Sequence, residues 1–147
     1  MALHIDLTFD CVDGGPLGEF WKLALGYEDE PPPPPFATRK EWLAHYGETG
    51  DGPTGAWLRD PDGIGPRLSF LPVPEPKVAK NRLHIDVRVP AEGTPEERWA
   101  AITGKVARLT DAGATTLATF EGHHVVMADP EGNEFCVAYA AASAPGG

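Results

Sequence analysis

Apolar and polar residues alternate strictly from Leu3 to Asp10: Leu3, Ile5, Leu7 and Phe9 on one side, His4, Asp6, Thr8 and Asp10 on the other. That period of two predicts a half-buried strand with an apolar face and a polar one. The same pattern returns over Leu83–Val89, where Leu83, Ile85, Val87 and Val89 alternate with His84, Asp86 and Arg88. Helical spacing follows each strand. Leu17, Phe20, Trp21 and Ala24 predict a helix over Pro16–Leu25, which Gly26 stops. Trp99, Ile102, Val106 and Leu109 form the stripe of a second helix. Thr94 caps it, Pro95 fits its first position, Glu97 completes a capping box, and Gly113 follows its last turn.

Leu3-His4-Ile5-Asp6 is repeated letter for letter as Leu83-His84-Ile85-Asp86. A second echo, Asp60-Pro61-Asp62-Gly63 against Asp129-Pro130-Glu131-Gly132, recurs in the same order. Two ordered echoes indicate a duplicated structural unit. Short strands flank each turn: Ala56–Arg59 and Arg67–Val73 in the first half, Val125–Ala128 and Glu134–Tyr139 in the second. Each half then reads strand, helix, strand, strand, strand, ending in a hairpin. Aligning Phe70 with Phe135 sets Ser69 against Glu134 and Leu71 against Cys136.

The expected organisation over residues 1–147 is one domain of two modules, about 1–74 and 82–140, with 72–80 as linker and 141–147 as a disordered tail. Module one carries an insertion at 31–50. Its run Pro31–Pro35 is stiff and extended, and a short helix over Lys40–Tyr46 bears Trp42, His45 and Tyr46. It reads as a surface excursion pinned by its aromatics, with a lid as the alternative.

Composition narrows the function. The chain has 147 residues, 41% of them hydrophobic, which suffices for a real core. No apolar run approaches the roughly 20 residues that span a bilayer, and no secretory signal opens the chain; a cytoplasmic protein is expected. Cys11 and Cys136 lack metal-type spacing and are expected as reduced thiols. The net charge of −10 argues against nucleic-acid binding.

The residues assembled so far resemble the vicinal oxygen chelate superfamily, which includes glyoxalase I, extradiol dioxygenases and bleomycin-resistance proteins. The resemblance rests on Leu3-His4-Ile5-Asp6, the helix ending Leu25-Gly26-Tyr27, His84, and Asp129-Pro130-Glu131-Gly132-Asn133-Glu134-Phe135. It is nearest to the glyoxalase-like domain branch of small bacterial proteins. It implies an α+β fold of two tandem βαβββ modules forming an open cleft, often as a homodimer. In the family's metal enzymes the ligands stand on the first and last strands of each module. His4 and His84 match the first-strand positions, while the last-strand positions fall on Leu71 and Cys136 under the alignment above. Two histidines make a poor metal site, so no metal or other cofactor is expected.

The reading is therefore a metal-independent protein holding a small polar organic molecule, cationic or zwitterionic rather than anionic. Strand parity and the resemblance nominate His4, Asp6, Arg67, Ser69, His84, Asp86, Glu134 and Cys136 as its lining. The alternative is a divalent-metal-dependent lyase, isomerase or dioxygenase using His4 and His84, with Glu134 as a third ligand. A noncatalytic partner with a vestigial cleft is disfavoured by the many polar groups on that face. His123-His124 is no chelate, because neighbours on a strand point opposite ways. Ser69, His84 and Asp86 lack the nucleophile elbow of a hydrolase triad, and Cys136 reads as packing rather than nucleophile.

Overall fold

In a computed structural model, residues 1–48 and 51–140 are described. The expected tail at 141–147 and the end of the insertion, residues 49–50, lie outside them. The chain divides into two compact units, Met1–Lys77 and Val78–Gly147.

Unit one contains β1 (Leu7–Cys11), α1 (Gly14–Leu25), β2 (Glu28–Asp29), α2 (Arg39–His45), β3 (Ala56–Arg59) and β4 (Leu68–Pro72). Its sheet runs β1-β4-β3-β2, with β1 and β4 parallel and the other neighbours antiparallel. Asp13 caps α1 by accepting the Gly15 N–H at 3.1 Å, and it also takes the Thr54 N–H at 3.2 Å. Gly26 closes the helix at φ 71°, a left-handed conformation that glycine adopts without strain. α1 buries Leu17, Phe20, Trp21 and Ala24, and packs on β3 and β4. Gly18 permits that approach, since a Cβ there would stand 2.8 Å from the Ala56 side chain. Leu58, Leu68 and Phe70 complete the core, and Phe9 stacks on Phe70 at 5.1 Å.

Unit two contains β5 (Ile85–Val89), α3 (Pro95–Asp111), β6 (Thr115–Phe120), β7 (His124–Ala128) and β8 (Glu134–Tyr139). The sheet order β5-β8-β7-β6 repeats that of unit one, again with a parallel first pair. Thr94 caps α3 by accepting the Glu97 N–H at 3.2 Å, and Pro95 takes the first turn. Ile102 and Leu109 are fully buried on the helix; Phe135, Val137, Val125 and Met127 are their counterparts on the strands. The fold is α+β, two tandem βαβββ modules, as the alternating pattern predicts.

The first strand of each unit is shorter than its alternation suggests. Leu3 and Ile5 are 89% and 66% exposed, and Leu83 is 65% exposed. Alternation gives a strand its faces, but pairing gives it its length. The Leu7 N–H bonds to the Arg67 carbonyl, and before Arg67 the partner chain has Pro66, which carries no N–H. In unit two, Asn133 is occupied by the turn: its N–H reaches Asp129 Oδ1 and its carbonyl accepts the Asp129 N–H. Leu83 therefore has no ladder to join.

Register also corrects the alignment of the last strands. Leu7 lies opposite Leu68, and Val87 opposite Val137. With Leu3–Asp6 set on Leu83–Asp86, Leu68 is the counterpart of Val137, and Arg67 that of Cys136. Leu71, expected in that place, instead pairs with Asp10 and is 53% exposed.

Candidate functional site

In unit one the segment before β1, the start of the proline run and the β3–β4 turn enclose a cavity of about 720 Å³. His4, Asp6 and Arg67 line it, together with Glu30, Pro31–Pro34 and Asp60. Arg67 is its most constrained group. Its Nε and Nη2 donate to the two oxygens of Glu30, and its Nη1 donates to Asp6 Oδ2 at 3.1 Å. This two-pronged carboxylate clamp, with Asp6 behind it, holds the guanidinium further above its ordinary value. Asp60 shapes the turn by accepting N–H groups from Asp62, Ile64 and Gly65, and those bonds lower its pKa. Tyr27 donates its hydroxyl to the Pro66 carbonyl at 2.9 Å, which holds the turn against the body of the unit. Of the unit-one candidates, Ser69 is the one outside the cavity lining; it lies opposite Thr8 and Trp57 within the sheet.

The insertion contributes the proline wall. α2 buries none of its residues, and its hold on the sheet is aromatic and cationic. The Arg39 guanidinium lies 4.4 Å from the Trp57 ring and 4.8 Å from the Trp42 ring, and its Nη2 donates to the Glu30 carbonyl. The excursion is pinned by its aromatics, and its first prolines also line the cavity.

In unit two, ligand atoms of His84, Asp86 and Cys136 all lie within 4.8 Å of one another. His84 stands just before β5 and Asp86 two residues on, within it, and Cys136 sits directly opposite Asp86 on β8. His84 Nε2 is 3.8 Å from Asp86 Oδ1, and Arg88 Nη2 is 3.4 Å from Asp86 Oδ2. Burial pushes the Cys136 thiol above its ordinary pKa. The charges of Asp86 and Glu134 add to this against the opposing Arg88, and the thiol hydrogen-bonds to Asp86. Glu134 is engaged elsewhere: Lys80 Nζ is 2.5 Å from its carboxylate, and its N–H bonds to Asn81 Oδ1. His124 stacks on Phe120 at 4.6 Å, and its ring stands nearly perpendicular to that of His123.

The sequence marks Asp60 only as a turn residue and gives no sign of Glu30 or Lys80. A signal for Arg67 as the counterpart of Cys136 was present: Arg67 stands seven residues after Asp60, as Cys136 does after Asp129.

A hard, oxygen-preferring divalent ion of the kind the superfamily's metal enzymes use does not fit unit one. A clamped guanidinium occupies the last-strand position there, and a metal would face a fixed positive charge. Unit two offers one nitrogen, one carboxylate and one sulfur donor, a set that suits a borderline-soft ion instead.

A family model described as "Glyoxalase-like domain" matches residues 6–138. No curated protein matches the chain. Among solved structures, the fosfomycin resistance protein FosX of Mesorhizobium loti superposes with a TM-score of 0.64 at 10% identity, covering 96% of this chain and 94% of that one. A glyoxalase/bleomycin resistance protein/dioxygenase family enzyme of Burkholderia phytofirmans gives 0.58 at 17% identity, covering 95% and 100%. A mutant FosX of Listeria monocytogenes, complexed with Mn(II) and 1S,2S-dihydroxypropylphosphonic acid, gives 0.59 at 10% identity, covering 96% and 94%. These likenesses bear on fold, and with the family match they place the duplicated βαβββ units: the chain belongs to the glyoxalase-like domain family of the vicinal oxygen chelate superfamily.

Proposed function

We propose that this glyoxalase-like protein binds a small polar organic molecule without a metal, in the cavity of unit one. The observation that carries the reading is Arg67, clamped by Glu30 and Asp6 where a metal ligand would otherwise stand. The cavity, about 720 Å³, falls within the usual size range of small-molecule sites. Its ionic lining has three carboxylates, Asp6, Glu30 and Asp60, against two guanidiniums, Arg59 and Arg67. Arg67 is already engaged by two of those acids, so the residual charge favours a cationic or zwitterionic ligand. The chain's net −10 adds a salt-dependent field of the same sign.

A thermal-shift screen of amine-bearing, zwitterionic and anionic compounds in the presence of a chelator tests this. A ligand at 100 times its Kd adds about 2.7 kcal/mol of stability. Asp6→Asn, at a half-exposed side chain, is expected to remove that gain while leaving the unliganded melting point in place. Preference for anionic thiols or thioesters, undiminished by Asp6→Asn, would overturn the reading.

The metal-dependent lyase, isomerase or dioxygenase using His4 and His84 is the second reading. The phosphonate- and Mn(II)-bearing FosX structure shares its fold. One observation in this chain favours it: His84 has two further donor residues beside it.

A further inference from the structure

A second cavity, of about 630 Å³, lies beside the first in unit one, between α1, the edge formed by β2 and β3, and the insertion. Glu30, Pro31, Pro32 and Arg59 stand in the wall that the two cavities share. Arg39 sets the second one apart. Its side chain is 20% exposed, and its guanidinium lies against the Trp57 and Trp42 rings. Its Nη2 donates to the Glu30 carbonyl, and among the described residues no other N–H of that guanidinium is hydrogen-bonded. The closest carboxylate oxygen among them, Glu30 Oε1, is 3.9 Å away, and both oxygens of that group are held by Arg67. We propose that this second cavity binds an organic monocarboxylate with an apolar body, its carboxylate on Arg39 and its body against Trp57 and Leu43. The site is separate from the one proposed above and does not rest on that reading.

A cation drawn out of water is costly unless a partner replaces its hydration. Burial pulls the Arg39 guanidinium below its ordinary value, and the Glu30 charge offsets only part of that. A carboxylate suits such a group best, because its two oxygens accept parallel N–H bonds from the planar fork. The acids of the lining do not supply one, since each is already engaged. Lys22 bridges Glu19 and Asp29, Arg59 donates to Glu28, and Arg67 holds Glu30. These same four acids, with the chain's net −10, favour a ligand of one negative charge over one of several. Pro31, Pro32, Ala37, Leu43 and Trp57 make the rest of the surface apolar, and the volume falls in the range of small-molecule sites. A bare anion would leave that surface uncovered; an aromatic or aliphatic acid covers it.

Benzoate is the probe, and the indoles beside Arg39 report it. Titrated into the full-length protein, it should change tryptophan emission saturably, and inorganic phosphate should not. Benzyl alcohol, the same ring without the charge, should bind at least about tenfold more weakly, the loss expected when a hydrogen bond between charged groups goes. Arg39→Gln should weaken benzoate by at least the same factor of about ten. Arg39→Lys, which keeps the charge and loses the fork, should weaken it less. Asp6→Asn, in the first cavity, should leave it unchanged. Arg39 also pins α2, so the unmodified protein locates the ligand as well: nuclear Overhauser contacts from the benzoate ring should reach the Trp57 indole and the Leu43 methyls. The proposal is overturned by an absent saturable change, by equal affinity for benzoate and benzyl alcohol, or by benzoate affinity unaltered in Arg39→Gln. Contacts on Ile5 and Ile64, which line the first cavity and not the second, would overturn it too. The chelator-treated screen on the first cavity, read through Asp6→Asn, stands or falls separately.

Discussion

Leu68 and Leu71 lie three residues apart on β4, yet the fold gives them opposite environments. Leu68 is 1% exposed, opposite Leu7 on β1 and Leu58 on β3, whereas Leu71 is 53% exposed. Removing a fully buried leucine forfeits about 1.5–3 kcal/mol of transfer free energy. The cavity left behind brings Leu68→Ala to about 2–5 kcal/mol. Leu71 has half its surface in water already, and its loss opens no closed cavity, so Leu71→Ala is expected to cost less than about 1.5 kcal/mol by the same transfer scale. Tryptophan emission reads unit one well, because Trp21, Trp42 and Trp57 all lie there, and Trp21 is 1% exposed between Phe9 and Phe20. With a urea m-value of about 2 kcal/mol/M, Leu68→Ala should lower the midpoint by roughly 1–2.5 M. Leu71→Ala should lower it by less than about 0.75 M on the same slope. Equal shifts, or the larger one at Leu71, would mean that β4 presents the other face to α1. A one-residue slip has that consequence for every side chain on the strand.

Two further outcomes follow from single groups. Tyr27→Phe, which deletes the hydroxyl bonded to the Pro66 carbonyl, should cost about 0.5–1.5 kcal/mol in denaturant titration. Burial and the Asp60 charge raise the Tyr27 phenol above 10.0. Its contribution to stability is therefore complete below the unfolded value and lost as pH rises through the folded one, and ultraviolet titration, compared with Tyr27→Phe, should show Tyr27 ionising above 10.0. Cys136, likewise raised above 9.0, should be alkylated slowly at neutral pH. Its rate should still be climbing with pH at 9.0, read by mass spectrometry against Cys136→Ser; rapid modification at pH 7 would contradict its burial beside two acids.

The elements were legible where one physical rule dominated. Thr94, Pro95 and Glu97 state a helix start locally, and the start falls there. Glu134–Tyr139 needed only its alternation and the turn before it. Strand ends were not legible at Leu3 and Leu83, because a strand stops where its neighbour stops offering N–H and carbonyl groups. That depends on Pro66 and Asn133, some 60 and 50 residues away along the chain. Alignment of the last strands failed for another reason. Matching one phenylalanine to another favours side-chain likeness, while a ladder is set by turn length, and the Asp60 and Asp129 turns place the strands without a gap. Glu30 was illegible because its importance comes through β2, a two-residue strand with no pattern of its own. The Glu30 N–H bonds to the Trp57 carbonyl, extending that edge and aiming the carboxylate at Arg67.

Duplication makes the difference between Arg67 and Cys136 an internal comparison. Backbone, parallel pairing and the preceding histidine and aspartate are shared, so the two sites can be compared at this one position. A guanidinium keeps its charge at every physiological pH, and Glu30 and Asp6 fix its direction. A thiol is neutral until it loses its proton, and at Cys136 burial and the neighbouring acids delay that loss. At one strand position, then, one unit presents a paired guanidinium and the other a thiol, on the same arrangement of strands.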